Sequence, residues 1–212
     1  MPHDEGVIKY DLDFKPGPAP LYSQIEEINN WRTLLHQMQL IGQDPARYGG
    51  LGYGNISCRL PRDKTNQFIV SGTQTGALAQ LQAEHFCLVT SCDVERNTLS
   101  ATGAIRPSSE AITHGALYQL SADIHVVIHV HCPDIWQCAN ALQLPKTGAD
   151  TAYGTPQLAR DIQALFAADA FRKDQLFVVP GHQDGVISFG STAEHAGHEI
   201  VKTLASAIQN FK

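Results

Sequence analysis

The chain has 212 residues, of which 43% are hydrophobic and 17% charged, and a formal charge of −6 at pH 7. That charged share is below the roughly 25% usual for soluble proteins, which implies much buried surface and leaves room for a subunit interface. The absence of any Lys/Arg-rich run argues against nucleic-acid binding, and no apolar run approaches the ~20 residues of a membrane span.

The length suits one well-packed domain. Residues 1–20 are polar and proline-rich and read as an N-terminal arm outside the core, with one folded domain running over 21–212. Apolar residues at helical spacing, from Leu21 and Ile25 to Leu35 and Met38, predict a long amphipathic helix over 21–41. A glycine-rich turn over 49–54 leads to a strand at 55–60, a turn at Pro61–Lys64 and a second strand at 67–71. A short helix is expected after Gly76, a strand over 86–90, a turn over 93–98, and a helix over 107–120 with Pro near its first turn. An Ile/Val-rich strand follows over 124–130, then helices over 133–142 and 155–168. Strands at 176–179 and 185–189 flank the turn Pro180–Asp184, and a helix over 192–208 closes the chain. Intermixed helices and strands with hairpin-like connections predict a layered α/β domain around a mixed or mostly antiparallel sheet.

Five cysteines (Cys58, Cys87, Cys92, Cys132 and Cys138) form no CxxC pair. With no apolar leader among the first residues, they read as reduced thiols in a cytoplasmic compartment.

The Ile/Val-rich strand carries His125, His129 and His131. Strand side chains alternate with period two, so all three point to one side, which is either a satisfied polar face or a metal site. His129-Val130-His131 sets two imidazoles side by side, whereas a catalytic zinc needs three protein ligands and an open position. His182, in the turn between two later strands, is a candidate third ligand, although a turn residue would need no further explanation. His125 lies roughly 13 Å from His129 at ~3.3 Å per residue, too far to share a metal, and reads as structural. Glu110 near a helix start is explained by the helix dipole alone, or as a general base beside a metal. Ser108 and Ser109 beside it would form an anion site at a helix N-terminus. Gly54-Asn55-Ile56-Ser57 and Ser71-Gly72-Thr73-Gln74-Thr75-Gly76 place glycine beside small polar side chains, the chemistry of backbone phosphate cradles, although such residues most often just make turns. Neither is a P-loop.

The order GNIS (54–57), SGTQTG (71–76), RPSSE (106–110), HVHC (129–132) and GHQDG (181–185) resembles the class II aldolase/adducin family. The resemblance spans about residues 21 to 210. It implies a single three-layer αβα domain with a central mixed, mostly antiparallel sheet, a homotetramer, and a divalent cation, usually Zn²⁺, held by His129, His131 and His182. It implies that Glu110 is the catalytic acid/base, and that Gly54, Asn55, Ser71-Gly72 or Thr75-Gly76, Ser108 and Ser109 hold the substrate's phosphate. It further implies a lyase that splits a small hydroxy-carbonyl compound through a metal-stabilised enediolate, with a sugar phosphate as the favoured substrate. A dehydratase and a non-catalytic adducin-like binding module are the alternatives. Two departures stand out. The segment Leu144–Tyr153 is brief and offers only Asp150 and Tyr153 as a second acid, and the basic residues nearest the loops in sequence are Arg59 and Arg106.

Overall fold

The computed structural model describes residues 6–60, 67–171 and 174–210, so the turn expected at Pro61–Lys64 lies outside the described residues. Strand β1 (Asp11–Pro16) leads to helix α1 (Tyr22–Gln37), the short strands β2 (Gly42–Gln43) and β3 (Gly52–Tyr53), and strands β4 (Asn55–Arg59) and β5 (Phe68–Ser71). Strands β6 (Phe86–Asp93) and β7 (Thr98–Gly103) form a hairpin before helix α2 (Ala111–Leu120) and strand β8 (Val126–His131). Helices α3 (Pro133–Cys138) and α4 (Pro156–Ala167), strands β9 (Leu176–Val178) and β10 (Gly185–Gly190), and helix α5 (Ala193–Asn210) complete the chain.

Eight strands form one sheet in the order β1-β7-β6-β5-β4-β8-β10-β9. Among the described residues only the β1–β7 pair of this sheet, at its edge, is parallel, so the sheet is mixed and mostly antiparallel, as the sequence implied. Helices α1, α3 and α5 pack together on one face and α2 with α4 on the other. Each central strand therefore splits its side chains between two cores. In β8, Val126, Ile128 and Val130 join Ile25, Ile28 and Ile200, while Val127 joins Phe68, Leu117 and Ile187. Burial on both faces is why this strand reads as a nearly continuous apolar run. Each such Val or Ile contributes roughly 1.5–3 kcal/mol by leaving water. His129 and His131 share the Val127 face and are also fully buried.

One expectation is corrected. The arm expected over residues 1–20 supplies an edge strand, because Leu12 and Phe14 alternate with Asp11, Asp13 and Lys15 and pack against the second core. The turn expected over 93–98 is present and leads into β7, which no sequence signal marks because TLSATG is small and polar, although Leu99 and Ala101 alternate inward against β6. Boundaries shift as well. α2 starts at Ala111 rather than Pro107, because Pro107 bridges to Gly72 and the Ser108 N–H is donated to the Ser71 carbonyl. The helix expected after Gly76 is a single 3₁₀ turn at Ala83–His85, and α3 stops at Cys138. All five cysteines are free thiols. Among the described residues no helix is long and apolar enough to cross a membrane.

Candidate metal centre and its cleft

Strand register assembles the site. In the β8–β10 ladder His131 pairs with Gly185, so the turn that precedes Gly185 overhangs the end of β8 and brings His182 to His131. That turn is tied by His182 N–H to the Val179 carbonyl (3.0 Å) and by Gly185 N–H to the His182 carbonyl (2.9 Å). It lies so close to the loop before α4 that a Cβ on Gly181 would fall 2.3 Å from the Thr151 carbonyl oxygen, and only glycine fits there. On the other side of β8, Asn55 of β4 pairs with His129.

His129, His131 and His182 offer ligand nitrogens that lie within 4.8 Å of one another, and all three residues are buried. Their ring centroids stand 4.7–5.0 Å apart. Glu110, the residue just before α2, places Oε1 2.8 Å from His129 Nδ1 and Oε2 3.9 Å from His182 Nδ1. A proton on His129 Nδ1, donated to Glu110, leaves Nε2 as the lone-pair atom, and Nε2 is buried with no hydrogen-bond partner. Burial, reinforced by His182, His129 and Arg47, pushes His131 well below the ordinary imidazole range and keeps it neutral, the form that ligates a metal. Burial also works against the charge of Glu110, but the neighbouring His129 and His182 outweigh it and hold the carboxyl down at about 2. A buried all-imidazole donor set with a carboxylate alongside fits Zn²⁺ or a similar divalent ion.

Beside this cluster runs a polar cleft lined by Gly54, Asn55, Gly72, Thr75, Gly76, Ser108, Ser109 and Glu110. Every candidate substrate-binding residue except Ser71 is therefore in one wall. Ser71 is turned inward, its hydroxyl accepting the Ile56 N–H at 3.2 Å. The cleft is lined by the run from Gly72 to Gly76, with both glycines present. A Cβ on Gly76 would lie 2.1 Å from the Gly42 carbonyl oxygen, which is why this loop can pass directly over β2. His125 stands apart, one residue before β8, with Nε2 3.1 Å from the Ala122 carbonyl. Of the two candidate acids, Asp150 is exposed and Tyr153 packs on His182 with centroids 4.7 Å apart.

Several supporting residues escape a sequence reading. Tyr48 and Tyr53 wall His131 at 4.4 and 5.3 Å between centroids. The Tyr48 hydroxyl donates to Asp184 (2.7 Å), and Arg47 binds both tyrosine hydroxyls, at 2.7 and 3.1 Å. Arg32 of α1, 1% exposed, donates to the carbonyls of Thr75, Leu78 and Ala79. The glycine–tyrosine alternation at 48–54 is visible in the sequence, but nothing local marks Arg32.

The class II aldolase and adducin N-terminal domain family matches residues 45–208, and the chain belongs to that family. No curated protein matches it in sequence. YgbL of Klebsiella pneumoniae, described by the alternatives aldolase, epimerase and decarboxylase, shares the fold at a TM-score of 0.65 and 19% identity, over 89% of this chain and 88% of that one. The L-fuculose-1-phosphate aldolase of Thermus thermophilus superposes with a TM-score of 0.63 at 17% identity, covering 90% of this chain and 94% of its own. A sugar-phosphate aldolase from Thermotoga maritima gives 0.65 at 14% identity, over 87% and 92% of the two chains.

Proposed function

We propose that this protein is a divalent-metal-dependent lyase that cleaves a small hydroxy-carbonyl compound in the retro-aldol sense, with a sugar phosphate as the favoured substrate. The observation that carries the reading is the buried trio His129, His131 and His182 with Glu110 against it. Zn²⁺ or another divalent cation held by the three imidazoles would supply Lewis acidity to the substrate's carbonyl and hydroxyl oxygens. Glu110, held ionised, would take the hydroxyl proton as the carbon–carbon bond breaks and return a proton to the carbon left behind. The cleft holds the other end of the substrate through Asn55, Ser108, Ser109 and the Gly72–Gly76 loop, which fixes its orientation. Loss of water in place of bond cleavage would make the same site a dehydratase. An adducin-like binding module has no use for a complete histidine set, and that set favours catalysis.

Elemental analysis of tag-free protein tests the reading. About one divalent ion per chain, lost in His129→Ala, is the expected result, with retro-aldol turnover of hydroxy-carbonyl phosphates tracking the metal. Wild-type protein that takes up no metal after supplementation would sink the lyase reading and put the binding module first.

A further inference from the structure

Among the described residues, the cleft's own loops bring no counter-charge. The Arg59 guanidinium is turned onto the carbonyls of Tyr118 and Ser121, at the far end of α2. Arg106 is exposed, and its carbonyl accepts the Thr73 N–H at 3.0 Å. The cation that does approach comes from the other end of the chain. We propose that the N-terminal segment 6–10 completes the substrate pocket, with Lys9 supplying the cation that meets the substrate's anionic group, a phosphate or a carboxylate. This deepens the lyase reading and rests on it.

The segment is built into the site at each step. Gly6 lines the cleft beside the Gly72–Gly76 loop. The Val7 N–H donates to the Tyr153 hydroxyl at 3.2 Å, and that hydroxyl donates to the Val7 carbonyl at 3.3 Å. Asn97 holds the Lys9 carbonyl at 2.8 Å, and the buried Tyr10 donates its hydroxyl to the Ser108 carbonyl at 2.8 Å. These bonds fix the backbone on both sides of Lys9. The Lys9 ammonium then stands 4.0 Å from the centroid of the Tyr153 ring, and Tyr153 packs on His182. The Lys9 stem lies beside Gly154, where an added Cβ would meet both the Lys9 Cβ (3.7 Å) and the carbonyl of Ser109 (3.3 Å), a residue that lines the cleft. The ammonium is thus carried over the ring that packs on His182, on a stem long enough to reach a ligand. The family match begins at residue 45, so this segment lies outside what the family defines.

Calorimetric titration of the zinc-loaded protein with inorganic phosphate, and separately with acetate, tests the assignment. Lys9→Met should weaken the bound anion by about tenfold or more, the loss expected for a charge-assisted hydrogen bond. Lys9→Arg should restore most of the affinity, and Lys15→Met, at an exposed lysine beside Asp13, should leave it unchanged. Preference for phosphate over acetate, or the reverse, identifies which anionic group the pocket takes. Equal affinity in wild type and Lys9→Met would overturn the proposal, as would wild-type protein that binds zinc but neither anion. Zinc content measured on the same samples separates that failure from failure of the metal reading.

Discussion

Glu110 is where metal binding and proton transfer can be separated. Glu110→Gln keeps an oxygen acceptor for the His129 Nδ1–H, which now sits 2.8 Å from the carboxylate, so metal content should stay near one ion per chain. The amide cannot take a proton, and turnover should fall by about 10²–10⁴-fold. Full activity in this variant, measured beside its metal content, would remove Glu110 from the chemistry. Behind it on α2, His114 shares a 2.6 Å hydrogen bond with Ser57, which also bonds the Tyr118 hydroxyl at 2.7 Å. Burial pushes His114 down to about 3, so this imidazole behind Glu110 stays neutral.

At the scale of elements, α1 and the loop after β5 act as one unit. Arg32 fastens that loop by three carbonyls, two of them at 3.0 Å, from a position with 1% exposure. Burial pulls its guanidinium down to about 10, and no carboxylate compensates it among the described residues. Turning these carbonyls toward Arg32 fixes the course of the loop as it passes along the cleft. Arg32→Met leaves buried acceptors unpaired while removing a costly buried charge, so the net destabilisation should be about 1–3 kcal/mol. Urea unfolding would measure it, and hydrogen exchange should show the amides of residues 72–79 opening faster than those of β8. Unchanged exchange across that loop would show that Arg32 does not organise it.

For the whole molecule, exposed apolar surface bears on assembly. Leu21, Tyr22 and Leu34 are 69%, 44% and 41% exposed on or beside α1, apolar surface that an isolated chain would leave in water. Together with the tetramer implied by the family resemblance, this leads us to expect sedimentation near four subunits. A clean monomer at micromolar concentration would refute it. The edge strand β1 carries Asp11, Asp13 and Lys15 along one side of its alternation, a charge pattern that discourages the sheet from extending edge to edge.

Local pattern alone specified the layered α/β class and the order of most elements, and it carried the five motifs whose resemblance to the family pointed to the three histidines and Glu110. These are legible because periodicity and turn chemistry act over a few residues, and because imidazoles on a strand face buried on both sides need a chemical reason. The neighbours of those residues were decided by tertiary structure. Register pairs His131 with Gly185 and Asn55 with His129, and sheet order carries residues 6–10 past Ser108 and Tyr153. Arg32, Tyr48 and Lys9 reach the site across 40 or more positions of sequence, as in the bond from Arg32 to Thr75. Contacts of that separation are selected by how two cores close over one sheet, and no short window of sequence encodes them.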